Sequence, residues 1–197
     1  MKSALIVIDA QNVYTDSESE MFCKDSARTL KRVNELINAF RDANRPIFLI
    51  RHIHNRDGSD LGRMFDFSGE AEEDFNFKEG DVEVEYDARL IQPEGATEIT
   101  KTRYSAFVGT KLETALRRQK IEHVVICGFM TNFCCESTAR NAHDIDFHVT
   151  FITEATGTPG TENLSESELR KCVSESIEAG IGRVLSTRQF LKQWDRT

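Results

Sequence analysis

Three side chains of complementary reactivity follow predicted strands in this sequence. They are the carboxylate of Asp9, the ammonium of Lys101 and the thiol of Cys134. A carboxylate can take the proton of a thiol, and an ammonium can hold the resulting thiolate and orient the carboxylate. The three residue types therefore predict hydrolysis by a nucleophilic thiol, in an arrangement that needs no histidine.

Cys134 stands out because of the segment that precedes it. An apolar run ends at Gly128, a short polar turn follows, and Cys134 comes at the expected first turn of a helix. Free N–H groups and the helix dipole stabilise an anion at such a position, so we expect a lowered thiol pKa and N–H donors for an oxyanion. A buried structural cysteine is the alternative for any single cysteine.

Length and composition predict one domain over residues 1–197. The net charge is −8 and no basic tract is present, which argues against nucleic acid and anionic membranes as partners. No apolar stretch is long enough to span a bilayer. An odd cysteine count without regular spacing favours a reducing compartment, so a cytoplasmic location is expected.

Strand-like and helix-like segments alternate along the chain. The predicted strands are residues 4–8, 46–50, 97–101, 123–127, 148–152 and 182–185. The predicted helices are residues 26–43, 110–118, 134–143, 165–179 and a terminal helix, two of them opened by capping boxes at Thr110 and Ser165. This order predicts an α/β fold, a three-layer αβα arrangement with a mainly parallel, Rossmann-like sheet of about six strands. Ligands bind such sheets at the carboxyl ends of the strands.

Residues 54–94 form the one irregular region of the sequence. Residues 82–86 alternate like an edge strand, and the region as a whole is acidic and aromatic. A loop of this length is either functional, for example a lid, or a surface excursion held by its aromatic residues. The aromatic residues are Phe65, Phe67, Phe75, Phe77 and Tyr86.

The combination of motifs resembles the isochorismatase-like cysteine hydrolase family. The resemblance extends over residues 3–185, and only residues 54–94 lie outside the pattern. It implies the isochorismatase-like hydrolase fold and a catalytic triad of Asp9, Lys101 and Cys134. The segments that carry it are LIVIDAQ at 5–11, KTRYSAF at 101–107, CGFMTNFCC at 127–135 and STAR at 137–140.

The same resemblance implies a cis peptide bond between Phe129 and Met130. It also implies an oxyanion hole formed by the backbone N–H groups of Met130 and Cys134. Cys135 is then expected to belong to the core or to the wall of the pocket. A homodimer or homotetramer is expected, because such assemblies are common in the family.

The implied activity is hydrolysis of a C–N bond in a small amide, carbamoyl or ureido compound, through a thioester and without a cofactor. Family members that hydrolyse the vinyl ether of isochorismate lack the cysteine, so its presence at position 134 argues against that alternative. Nicotinamidases of the family bind a metal through an aspartate and two histidines. Here His52 and His54 are present, but the aspartate two residues earlier is replaced by Ile50. No metal is therefore expected, and the histidines are interpreted as hydrogen-bond donors in the pocket.

Substrate contacts are expected from Gln11 and Asn132, which flank two of the triad positions. They are also expected from Phe107, which follows the lysine motif, and from His52, which lies just past the second strand. The sequence does not choose among small carboxamides, carbamoylated amines, maleamate-like acids, ureidoacrylate-like acids and biuret-like ureas. Two other classes stay open. One is a small-ligand-binding or interaction module on the same fold, and the other is a thiol redox protein that uses Cys134 and Cys135.

Overall fold

Six segments of the chain form the strands of one parallel sheet. The computed structural model describes residues 1–66, 69 and 75–194. The strands are β1 (Ser3–Ile8), β2 (Ile47–His52), β3 (Thr97–Lys101), β4 (His123–Phe129), β5 (His148–Gly157) and β6 (Arg183–Leu185). Every neighbouring pair is parallel, in the spatial order β3-β2-β1-β4-β5-β6. The predicted α/β fold with a parallel six-stranded sheet is confirmed.

Helices cover both faces of this sheet. They are α1 (Asn12–Thr15), α2 (Ser26–Asp42), α3 (Leu112–Arg118), α4 (Glu136–Asp144), α5 (Glu166–Glu178) and α6 (Thr187–Trp194). Alternate residues of a strand point to opposite faces. Leu5 and Val7 of β1 therefore pack against α2 and α6, whereas Ala4, Ile6 and Ile8 pack against α3, α4 and α5. No helix in the described ranges is long and apolar enough to cross a membrane.

The strand order reverses at β1, which places the switch point of the sheet between β1 and β4. Ile8, the last residue of β1, pairs with Ile50 on one side and with Gly128 on the other. The loops that leave β1 and β4 consequently diverge to opposite faces of the sheet and open a crevice at the carboxyl ends of these strands. This is the part of a parallel sheet where ligands bind.

Two local predictions about helix starts have different outcomes. At the start of α5, Ser165 and Glu168 form the expected capping box, with Glu168 N donating to Ser165 Oγ and Ser165 N donating to the Glu168 carboxylate. The capping box predicted at Thr110 is wrong. The Thr110 hydroxyl donates to Ala106 O at 2.6 Å and accepts from Leu112 N, so it closes a turn before a helix that begins only at Leu112.

The irregular region, residues 54–94, packs back against the sheet beside the end of β2. His54 N donates to Phe77 O at 2.7 Å, and Glu79 N donates to His54 O at 2.9 Å, so the chain runs beside the end of β2. The edge strand predicted at residues 82–86 is wrong, because Val82–Val84 is a turn of 3₁₀ helix. Phe67, one of the aromatic residues noted in the sequence, lies outside the described residues.

Candidate active site

The three predicted catalytic side chains come together at the carboxyl edge of the sheet. Asp9 directly follows β1, Lys101 ends β3, and Cys134 lies just beyond β4. Their exposed fractions are 0% for Asp9, 1% for Lys101 and 2% for Cys134. A carboxylate, an ammonium and a thiol therefore share a site from which bulk water is almost excluded.

The ammonium of Lys101 connects the acid to the thiol. Its Nζ lies 2.8 Å from Asp9 Oδ2, 3.2 Å from Cys134 Sγ and 3.1 Å from the backbone oxygen of Arg103. It therefore forms an ion pair with Asp9 and donates hydrogen bonds to the Cys134 sulfur and the Arg103 carbonyl. Asp9 has a φ of +46°, an uncommon conformation for a residue other than glycine, which tends to occur at functional sites.

Burial and charge set the protonation states of this group. Burial raises the pKa of Asp9 against the opposing effect of Lys101. Burial also raises the pKa of Cys134, to about 12, because the loss of hydration outweighs the attraction of Lys101. Burial alone would lower the pKa of Lys101, but Asp9 and Cys134 raise it and keep the ammonium charged. The lowered thiol pKa expected from the helix start is therefore wrong, and Cys134 is a thiol in the free protein at neutral pH.

Cys134 sits in a π-helical turn, Thr131–Cys135, that leads directly into α4. The preceding peptide bond, between Phe129 and Met130, is cis. Gly128 has a φ of +119°, and a Cβ atom at this position would lie 1.9 Å from the backbone oxygen of Ile8. Glycine at 128 thus lets β4 approach β1 closely where the strands end, which brings the Cys134 turn next to Asp9.

A cavity of about 150 Å³ opens onto the sulfur of Cys134. Typical ligand pockets are about 300–1,000 Å³, so this one suits a small molecule. Its lining consists of aromatic rings, methionines, one histidine and the thiol: Tyr14, Met21, His52, Met64, Phe65, Phe77, Tyr104, Met130, Phe133 and Cys134.

Gln11 does not have the position expected of a substrate-binding residue. Its side chain is fully buried, and its Nε2 donates to His52 O at 3.0 Å and to Val84 O at 2.7 Å. Its Oε1 accepts from His52 N at 2.8 Å. Both ends of the amide bond to the backbone and Gln11 is not among the residues that line the cavity, so its side chain fixes the end of β2.

Phe107 and Asn132 also lie outside the cavity wall. Phe107 packs in the core on the face of α3 and α4, with its ring 5.9 Å from that of Phe147. The Oδ1 atom of Asn132 accepts from the Thr158 hydroxyl at 2.8 Å. Phe107 therefore contributes to the core, and Asn132 connects two loops by a hydrogen bond.

His52 is the one predicted substrate-binding residue that lines the cavity. Its ring stacks on Phe77, with centroids 4.4 Å apart and planes 12° apart. Its Nε2 lies 3.0 Å from His54 Nε2, and His54 Nδ1 lies 3.2 Å from Asp60 Oδ1. Burial lowers the pKa of both histidines, so both are neutral at pH 7.

The residues present do not fit the metal of the nicotinamidases. Within the described ranges, the one group of three potential ligands consists of Asp9, His52 and Cys134, with the ligand atoms within 4.8 Å of one another. The Lys101 ammonium lies against two of these residues and would repel a cation. His54, which faces His52, brings no third ligand to that pair.

Comparisons with known proteins identify the family of this chain. The family model described as "Isochorismatase domain" matches residues 3–188. The chain belongs to the isochorismatase family. A crystal structure of a cysteine hydrolase from Pseudomonas syringae pv. phaseolicola 1448A superposes with a TM-score of 0.91 at 26% identity, covering 99% of this chain and 93% of the other. Like other members of the isochorismatase family, this protein is a hydrolase.

Several curated relatives have names that state an activity. Nicotinamidase 3 of Arabidopsis thaliana is 33% identical over 168 residues, which is 85% of this isochorismatase-family chain and 78% of the relative. The ureidoacrylate amidohydrolase RutB of Caulobacter segnis is 34% identical over 96 residues, which is 49% of this chain and 38% of the relative.

Sequence reasoning missed most of the cavity wall. Tyr104 lies in the segment that carries the family resemblance and Tyr14 lies in α1 soon after Asp9, so their proximity to the triad is a signal that could have found them. Phe133 lies in the turn beside Cys134, within another segment that carries the resemblance, and Phe65 and Phe77 belong to the aromatic region noted in the sequence. Met21 and Met64 belong to loops whose path no periodicity predicts.

Proposed function

We propose that this isochorismatase-family hydrolase is a cysteine-dependent amidohydrolase that cleaves a C–N bond of a small amide through a thioester. The observation that carries the proposal is the position of the Lys101 ammonium, 2.8 Å from Asp9 and 3.2 Å from Cys134, whose thiol lines a small cavity. The names of two relatives, a nicotinamidase and a ureidoacrylate amidohydrolase, agree with this chemistry.

Acylation begins with proton transfer from the Cys134 thiol to the Asp9 carboxylate. The sulfur attacks the carbonyl carbon, and the negative charge moves to the carbonyl oxygen, for which the backbone N–H groups of Met130 and Cys134 are the proposed donors. Asp9 then gives its proton to the amide nitrogen, the C–N bond breaks, and ammonia or an amine leaves. The product on the enzyme is a thioester with Cys134.

Deacylation uses the same carboxylate. Asp9 takes a proton from water, the hydroxide attacks the thioester carbon, and the sulfur leaves as a thiolate beside the Lys101 ammonium. The proton on Asp9 returns to the sulfur, and the carboxylic acid product departs. Lys101 stabilises each transient thiolate and keeps Asp9 in reach of the sulfur throughout the cycle.

Ammonia release from a panel of primary amides, nicotinamide and ureido compounds tests this proposal. We expect Cys134→Ala to lower kcat by at least about 10⁴-fold on any compound that the wild type hydrolyses, because the nucleophile is removed. Cys135→Ala is the matched control, since Cys135 is a buried neighbour in the core on the face of α3 and α4. Its kcat should stay within about tenfold of wild type. Near-native turnover by Cys134→Ala would overturn the mechanism.

A further inference from the structure

A second cavity opens at the amino ends of the strands, opposite the ends that hold the triad. Its volume is about 600 Å³, which is larger than the cavity of about 150 Å³ at Cys134 and within the usual range of ligand pockets. The two cavities share no lining residue. A molecule bound in the second cavity would therefore be separate from the proposed chemistry.

Polar residues at the starts of four neighbouring strands line this second cavity. In the sheet register, His123 of β4 pairs with Ser3 of β1 on one side and with His148 of β5 on the other. Arg183 of β6 pairs with Thr150, two residues after His148. Register partners, and residues two apart in a strand, point to the same face of a sheet. The register therefore groups the five side chains on one face, and all five line the cavity.

His123 is a fixed and uncharged part of this wall. Its two ring nitrogens lie within 2.9 Å of the hydroxyl oxygens of Ser3 and Thr150. Its pKa is lowered to about 4, first by burial and then by positively charged neighbours that include Arg183. Within the described ranges, the histidines of the wall do not form a group that could hold a metal ion. The charge that the cavity presents to a ligand therefore has to come from its arginines.

Two guanidinium groups line the second cavity without a counter-charge. Arg45 is half-buried between α2 and β2, and Arg183 is exposed at the start of β6. Among the residues that the structure describes, neither side chain has a hydrogen bond or an ion pair, and no carboxylate lines the wall. A guanidinium is always charged at neutral pH, and its geometry suits a carboxylate better than any other side chain. The cavity therefore favours an anion.

Aromatic rings form another part of the same wall. Phe147, Phe190 and Trp194 line the cavity. The ring of Trp194 is fixed, because its Nε1 donates to Ala39 O at 3.3 Å and its centroid lies 4.4 Å from that of Phe40. Aromatic side chains pack well against a flat apolar ring of a ligand. Unpaired guanidinium groups and aromatic rings in one cavity thus indicate a ligand that has both a negative charge and a ring.

We infer that this second cavity binds an aromatic carboxylate, at a site separate from the site of hydrolysis. The guanidinium groups of Arg45 and Arg183 donate hydrogen bonds to the carboxylate, and the aromatic ring packs against Phe190 and Trp194. Charge-assisted hydrogen bonds and burial of the ring both contribute to affinity. An uncharged aromatic molecule lacks the first contribution, and a small anion such as acetate lacks the second.

Titration of the wild-type protein with phenylacetate tests the inference. Trp194 is the only tryptophan of the chain, so its fluorescence reports on this cavity. We expect phenylacetate to change the emission of Trp194 saturably. Calorimetry of the same titrations should give at least about tenfold tighter binding for phenylacetate than for 2-phenylethanol, its uncharged counterpart, or for acetate. Absence of saturable phenylacetate binding up to about 10 mM by both methods would overturn the inference.

Charge-removing variants locate the bound carboxylate. In Arg45→Gln/Arg183→Gln, phenylacetate affinity should fall at least about tenfold, while 2-phenylethanol affinity stays within about threefold of wild type. Arg188→Gln is the matched control, because Arg188 is an exposed arginine of α6 that does not line the cavity. Its phenylacetate affinity should stay within about twofold of wild type. An unchanged near-ultraviolet circular dichroism spectrum shows that the aromatic wall of each variant is intact.

Two results of this comparison would contradict the inference. Unchanged phenylacetate affinity in the double variant would mean that the carboxylate binds elsewhere on the protein. An equal loss in Arg188→Gln would mean that the anion responds to the overall charge of the surface and not to a site. Neither result bears on Cys134, so the proposed hydrolysis is tested independently.

Discussion

Burial makes Asp9 a stronger base than an aspartate in water. A carboxylate in water has a pKa near 4 and is a weak base at neutral pH, whereas Asp9 is fully buried and its pKa is raised. Lys101 opposes the rise and prevents Asp9 from becoming permanently neutral. The balance of these two effects gives a group that can take and return a proton within one catalytic cycle.

This balance makes a prediction about pH. The acylation step needs Asp9 ionised, so kcat/KM for the best amide should fall on acidification with an apparent pKa clearly above about 4, the usual value for aspartate. The pH dependence of kcat/KM, followed from about pH 4 to about pH 9, measures it. An acid limb at or below about pH 4 would show that burial does not raise the pKa of Asp9 in the working enzyme.

The buried ion pair also makes a prediction about stability. Asp9→Asn leaves the Lys101 ammonium buried without its counter-charge, which should lower the free energy of unfolding by about 3 kcal/mol or more. Adding Lys101→Met removes the unpaired charge and should restore most of that loss while activity stays absent. Urea denaturation of the two variants and wild type tests the expectation. Equal stability of the single and double variants would show that the ammonium is not what destabilises the single one.

At the level of single residues, the sequence predicts the three triad residues better than the residues that line the cavity. Asp9 and Cys134 follow strands and Lys101 ends one, and the carboxyl ends of neighbouring parallel strands lie side by side. The role of Gln11 escapes prediction because its partners, His52 and Val84, lie far away in sequence and use both ends of its amide. The thiol pKa escapes prediction because a helix start is visible in the sequence, whereas the burial that dominates the pKa is not.

At the level of the elements, β1 and β4 position Asp9 and Cys134, and Gly128 permits the close approach of the two strands. A side chain at 128 would meet the Ile8 oxygen at 1.9 Å and would have to adopt a φ of +119°. Gly128→Ala should therefore be severely destabilising, with a loss of at least about 3 kcal/mol or no soluble protein. Gly180→Ala is the matched control, since a Cβ at this position would have open space within 4 Å beyond its neighbours in the chain. Chemical denaturation should place the control within about 1 kcal/mol of wild type, and a comparably mild Gly128→Ala would contradict the close-approach argument.

The spacing of apolar residues predicts helix or strand correctly for segments that bury one face or are buried completely. The apolar spacing of α2 and the continuous apolar run of β1 give the correct elements, because tertiary packing reinforces those patterns. Residues 82–86 alternate as a strand would, yet Val82–Val84 is 3₁₀, because the side chains of Asn12 and Gln11 bond its carbonyls. A sequence pattern does not contain such long-range partners.

For the molecule as a whole, the carboxyl and amino ends of the parallel strands differ in their charged groups. The carboxyl edge holds the compensated charges of Asp9 and Lys101. The opposite edge holds His123, whose Nδ1 lies 2.9 Å from Ser3 Oγ and whose Nε2 lies 2.8 Å from Thr150 Oγ1. One imidazole therefore ties together the starts of β1, β4 and β5, far from the site of chemistry.

The last prediction concerns the pH dependence of global stability. Burial lowers the pKa of His123 to about 4, whereas an unfolded chain has a histidine pKa near about 6.5. Between these values the unfolded state binds more protons than the folded state. The contribution of His123 to stability is therefore full above about pH 6.5 and falls by about 3 kcal/mol as the pH drops toward about 4. Urea midpoints measured across this range should decrease less steeply in His123→Gln than in wild type. An identical slope in His123→Gln would mean that the acid sensitivity of the fold arises elsewhere, and the imidazole would then only join the strands.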